Sequence, residues 1–151
     1  MRYIVPGILF IGLAVLLAPA TAVAHCQIPC GIYDDSLRFV MLGEDVTTIE
    51  KSMRSVTELS AAAEKDYNQI VRWVTNKDEH AAKFMEIVTD YFMAQRIKPV
   101  PPTDSMYNLY VKRVTVLHQM LVTAMKCKQT TDMENVTRLR QLVAEFKDLY
   151  F

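Results

Sequence analysis

A sustained basic run is missing from this chain, and so is any excess of one charge: 17 Lys and Arg stand against 17 Asp and Glu. Nucleic acid is therefore not an expected partner, because gripping a phosphate backbone needs a concentrated patch of Lys and Arg. Sustained alternation of apolar and polar residues between hairpin turns is also missing, which argues against a sheet. There is no internal repeat and no low-complexity tract. With 151 residues, the chain is long enough for one domain and too short for two comfortable ones. Cysteine is scarce. There are three, Cys26, Cys30 and Cys127, and an odd number cannot all pair within one chain.

The longest apolar run, Ile8 to Leu17, falls short of the ~20 residues that a helix needs to cross a bilayer. It follows the positive Arg2 and precedes Pro19, Ala20 and the small-x-small triplet Ala22-Val23-Ala24. That order fits an export signal cut between Ala24 and His25 better than a membrane anchor. Residues 1–24 are read as a cleaved signal peptide. The mature chain is then periplasmic or secreted, with no stable membrane anchor. Cysteines outside the cytosol usually pair, unless a metal or an enzyme site holds them.

From residue 34 to 151 the pattern is helical. Leu37, Met41, Ile49, Met53, Val56 and Leu59 follow three-to-four spacing, and Gly43 is expected to interrupt or kink that first helix. Asp66 with Gln69 resembles a capping box for a second helix, whose apolar face is Ile70, Trp73, Val74, Ala81, Phe84, Val88 and Tyr91. Pro99, Pro101 and Pro102 end it and make a rigid connector. A third helix carries Met106, Tyr110, Val114, Leu117, Leu121 and Ala124 on one side. Thr131-Asp132-Met133-Glu134 caps a fourth, which buries Met133, Val136, Leu139, Val143, Phe146 and Tyr150. The expected fold is all-α, an up-and-down four-helix bundle behind an N-terminal metal-binding hook, residues 25–33. Cys127 is expected to be a buried small apolar residue. His80 and His118 are read as surface or packing residues. The run Lys77-Asp78-Glu79 is read as a solvated helix face. The nine methionines are read mostly as core filler. The sequon Asn135-Val136-Thr137 falls inside the fourth helix and is read as chance.

The stretch His25-Cys26-Gln27-Ile28-Pro29-Cys30-Gly31-Ile32-Tyr33 carries the chemistry. Cleavage before His25 gathers a new α-amine, the His25 imidazole, the Cys26 backbone nitrogen and the sulfurs of Cys26 and Cys30. The amine and the next amide nitrogen close a five-membered chelate ring. That amide must lose its proton, which suits a metal with a square-planar preference, copper(II) or nickel(II). The spacing of Cys26 and Cys30 lets a turn bring both sulfurs to the same ion, with Pro29 restricting the turn and Gly31 releasing the chain from it. Two other readings of the same residues stand beside this one. A Cys26–Cys30 disulfide is the ordinary fate of such a pair after export. A zinc site is the other, though a structural one wants four ligands and only three strong side chains are present. The disulfide would make the chain a stapled helical interaction protein, and the same N-terminus without catalysis would make it an exported nickel or copper carrier.

The motif His-Cys-x-x-Pro-Cys-Gly-x-Tyr, here His25, Cys26, Pro29, Cys30, Gly31 and Tyr33, resembles the metal hook of the nickel-containing superoxide dismutases. Asp90-Tyr91-Phe92 resembles a motif at the end of that family's second helix. The resemblance implies one nickel per chain, held by His25, Cys26 and Cys30, and a homohexamer. It implies superoxide as the substrate, disproportionated with protons to dioxygen and hydrogen peroxide. It places Tyr33 at the mouth of the site and makes Tyr91 a candidate second hydroxyl. It also marks departures. The family's Glu on the first helix and Arg on the second, which orient the axial imidazole, fall by ungapped counting on Met41 and Asn76. Glu44, Asn76 and Lys77 are candidate replacements. Gln27 stands where an Asp is familiar. One extra residue left before His25 is expected to abolish this mode of metal binding, because the amine moves out of chelating range. Metal content and absorption spectra of such a variant check it, and unchanged spectra would refute it.

Overall fold

The computed structural model describes residues 35–151. The segment 1–24 and the hook 25–33 lie outside the described residues. Four helices follow: α1 (Ser36–Ala61), α2 (Tyr67–Glu86), α3 (Tyr107–Gln129) and α4 (Met133–Tyr150). α2 continues directly into a π-helical segment, Ile87–Arg96. The described residues contain no strand, and none of their helices is long and apolar enough to cross a membrane. α1 packs on α2 and α4, and α3 packs on the same two helices.

The helix ends follow the chemistry of their caps. The Asp66 carboxylate accepts from the Gln69 amide at 3.1 Å, and Asp132 accepts from the Glu134 amide at 3.0 Å. The connector 97–106 holds all three of Pro99, Pro101 and Pro102, and Asp104 Oδ1 accepts from the Met106 amide at 2.8 Å just ahead of α3. Gly43 does not interrupt α1, which is continuous through it. Glycine costs a helix interior only about 1 kcal/mol, and the fully buried Leu42 and Val46 on either side outweigh that.

The core takes Leu42, Ile49 and Met53 from α1, Phe84, Val88, Tyr91 and Phe92 from α2 and its extension, Leu117 and Met120 from α3, and Leu139, Leu142 and Phe146 from α4. The buried stripe of α3 lies about one residue round from the expected one. It runs through Val116, Leu117, Met120, Thr123, Ala124 and Cys127, and Met106 is exposed. Packing against both α2 and α4 sets this stripe. Cys127 is fully buried, and burial pushes its thiol up to about 11. Lys77 is not on a solvated face. It is 3% exposed, and its Nζ donates to the carbonyls of Cys127 at 2.9 Å, Lys128 at 2.5 Å and Thr130 at 3.4 Å, capping the end of α3.

At one end of the molecule, rings close the core. Phe39 of α1, Phe92 of the π-helical segment, and Phe146 and Tyr150 of α4 lie with centroids 4.9–5.6 Å apart. Tilted and edge-on contacts of this kind add to area burial. Truncation of Phe92 to Ala is expected to destabilise the fold by about 3–5 kcal/mol. Gly43→Ala is expected to stabilise it by ~0.5–1 kcal/mol, because an added Cβ would meet nothing within 4 Å. Urea titrations of the two variants check both signs.

Candidate functional site

The chain enters α1 through Asp35, whose φ of 60° is left-handed. Aspartate tolerates that region better than most residues do. Its carbonyl accepts from the Arg38 amide at 3.0 Å, closing the first turn. Its side chain turns inward, and the residue is 4% exposed. Oδ1 accepts from the Tyr91 hydroxyl. Oδ2 accepts from the Tyr150 hydroxyl at 2.5 Å and from Arg96 Nη2 at 2.6 Å. Arg96 Nε donates to the Tyr150 oxygen at 3.0 Å. One carboxylate thus joins the start of α1, the π-helical segment and the end of α4.

The winding of the π-helical segment explains how two of these partners meet. Tyr91 and Arg96 are five residues apart. In an α-helix five residues advance ~500°, which leaves the two side chains on different faces. A π-helix closes its hydrogen bonds from i to i+5, so residues five apart stack on one side. The last such bond runs from the Ile97 amide to the Phe92 carbonyl at 2.8 Å. The end of α4 is fixed in turn by Arg113, which donates to the carbonyls of Leu149 at 2.8 Å and Tyr150 at 3.2 Å.

Burial alone would push the Asp35 carboxyl up. The hydroxyls of Tyr150 and Tyr91 and the guanidinium of Arg96 together outweigh it and hold the group below the ordinary aspartate range. Burial, reinforced by the Asp35 charge, pushes the Tyr150 hydroxyl up to about 12. Tyr150 is therefore a neutral donor on an ionised carboxylate, and the Tyr91 hydroxyl donates to the same group. The Arg38 guanidinium lies 4.5 Å from the centre of the Tyr91 ring.

Of the residues singled out from the sequence, Tyr91 lies in this cluster, with its ring fully buried. His25, Cys26, Cys30 and Tyr33 lie outside the described residues, and Asp35 follows Tyr33 by two positions. The three candidate replacements for the family's orienting pair do not form one. Asn76 Nδ2 donates to Ser52 Oγ at 2.9 Å, Lys77 is spent on α3, and Glu44 is exposed. Met41 has its sulfur 3.9 Å from Arg38 Nη1. His80, read as a surface or packing residue, faces a carboxylate, with Nδ1 2.7 Å from Asp45 Oδ1. Burial pushes the Asp45 carboxyl up, and His80 offsets part of that.

Asp35, Arg96 and Tyr150 escaped the sequence reading. Tyr150 was legible only as an apolar position, and Arg96 is placed by a winding that α-periodicity does not anticipate. Among the described residues no group of three His, Cys, Asp or Glu could hold a metal.

A family model described as nickel-containing superoxide dismutase matches residues 20–151. No curated protein matches the chain, and no solved structure does.

The lowered pKa of Asp35 sets a pH dependence of stability. Its contribution is complete above the aspartate pKa of the unfolded chain and is lost as pH falls through the lower folded value. Asp35→Asn is expected to lower stability by about 1.5–3 kcal/mol at neutral pH. The deficit relative to the unaltered chain should shrink toward strongly acid pH. Guanidinium titrations of both proteins across pH 2.5–7 check this, and a pH-independent deficit would contradict it.

Proposed function

The chain belongs to the nickel-containing superoxide dismutases, and from that premise we propose where the metal is held and how the helices serve it. The reaction is the disproportionation of superoxide to dioxygen and hydrogen peroxide, with nickel as the cofactor. His25, through its amine and imidazole, Cys26, through its amide nitrogen and thiolate, and the Cys30 thiolate would hold the metal. This donor set fits nickel: soft thiolates and a deprotonated amide suit an ion with a square-planar preference. The helices offer no rival cluster among the described residues. When bound, nickel supplies the one-electron acceptor and donor that the two halves of the reaction need.

The chain's own residues bring the substrate in and order it. Tyr33 would stand at the mouth of the site, where its hydroxyl could order superoxide or water, and the buried Tyr91 would be a second hydroxyl near it. The guanidiniums of Arg38, Arg96 and Arg113 draw an anion toward this end. The single observation that supports the arrangement is the Tyr91 hydroxyl, fixed on Asp35 two residues beyond Tyr33.

On this reading residues 1–24 are a signal peptide whose removal exposes His25, and the enzyme works in the periplasm or outside the cell. Residues 25–33 are the hook, and residues 34–151 form an up-and-down four-helix bundle that assembles as a homohexamer. His25→Ala and Cys26→Ser are expected to lose nickel and activity while far-ultraviolet circular dichroism keeps its helical signal. Full activity in Cys26→Ser would sink the ligand assignment. Native mass spectrometry of the exported, untagged protein should show a chain that starts at His25, with reduced cysteines, one nickel per chain and six chains.

A further inference from the structure

We propose that Tyr150 is a positioning residue for superoxide turnover, acting through Asp35 on the hydroxyl of Tyr91. The proposal rests on the reading of Tyr91 as a residue of the site. The Tyr91 ring is fully buried, so its hydroxyl has little freedom beyond the choice of acceptor. That acceptor is Oδ1 of Asp35. Where Oδ1 lies depends on what grips Oδ2, because the two oxygens of a carboxylate turn together. Oδ2 is gripped by the Tyr150 hydroxyl at 2.5 Å and by Arg96 Nη2 at 2.6 Å.

Tyr150 does more here than Arg96 does. The Arg96 side chain is 35% exposed, and its Nε is itself anchored on the Tyr150 oxygen at 3.0 Å. Removing one hydroxyl therefore removes a donor from the carboxylate and an anchor from its cation. The ring would stay where it is. It packs against Phe39, Phe92, Phe146 and Phe151, with the Arg113 guanidinium 5.8 Å from its centre. Tyr150→Phe thus isolates the hydroxyl from the packing.

The test is a double-mutant cycle of Tyr91→Phe and Tyr150→Phe on the nickel-loaded enzyme, read by superoxide decay, nickel content and thermal unfolding. A second readout is the Cζ resonance of Tyr91 in ¹³C-tyrosine-labelled protein, which reports the hydrogen bond of its hydroxyl. Tyr150→Phe is expected to keep its nickel and lower the rate constant on the order of tenfold. It should move the Tyr91 resonance and have little further effect in the Tyr91→Phe background. Equal losses in the two backgrounds, or an unchanged resonance, would overturn the proposal. Full activity in Tyr91→Phe would instead remove Tyr91 from the site and the proposal with it. If Tyr150→Phe folds poorly, Arg96→Gln releases the same carboxylate oxygen from the exposed side. It is expected to move the same resonance, and no movement there would also count against the idea.

Discussion

An ionised carboxylate taken out of water is tolerated only where its charge is met by donors of good geometry. Asp35 satisfies that condition with two tyrosine hydroxyls and a guanidinium, drawn from segments that are remote in sequence. The start of α1, the close of the π-helical segment and the end of α4 are therefore interdependent. Each supplies something that the others need in order to remain buried. The aromatic cluster beneath them, from Phe39 to Phe146, fills the space that this polar knot closes off. The chain therefore enters α1 at a fixed end of the molecule.

The π-helical segment is the structural device that makes this possible. Widening the helix over Ile87–Arg96 is unfavourable for backbone packing, and π-turns are rare for that reason. The compensation lies in what the widened turn presents. Phe92 enters the aromatic core while Tyr91 and Arg96 reach the same carboxylate. A regular α-helix over the same residues would offer one of these contacts at the expense of another.

Much of the fold was legible in the sequence because its signals are local. The cap at Asp66 and the prolines after Arg96 depend on neighbours a few positions away, and they stand where expected, while the cap of α4 falls on Asp132, one residue into the motif that begins at Thr131. The fully buried Cys127 was readable from its residue type. Expectations that depended on competition between distant elements fared less well. Gly43 was over-weighted because its local cost ignores the packing of Leu42 and Val46. Lys77 read as a surface charge because nothing near it in sequence reveals the carbonyls of α3 that it caps. The candidate site divides along the same line. The proposed ligands are contiguous, so their resemblance to the family's motif was open to a reading of the sequence alone. The polar knot behind Tyr91 is assembled from residues 35, 91, 96 and 150, which only the folded chain brings together.

The burial of Cys127 has a chemical consequence for an enzyme that releases hydrogen peroxide. Peroxide oxidises the thiolate, and it must first reach the sulfur. Cys127 offers neither condition. It is sealed in the core, and a thiol that titrates near 11 is almost wholly protonated at neutral pH. Among the described residues it is the one cysteine. The helical part of the molecule is therefore proof, at its most oxidisable type of side chain, against the product that the enzyme makes.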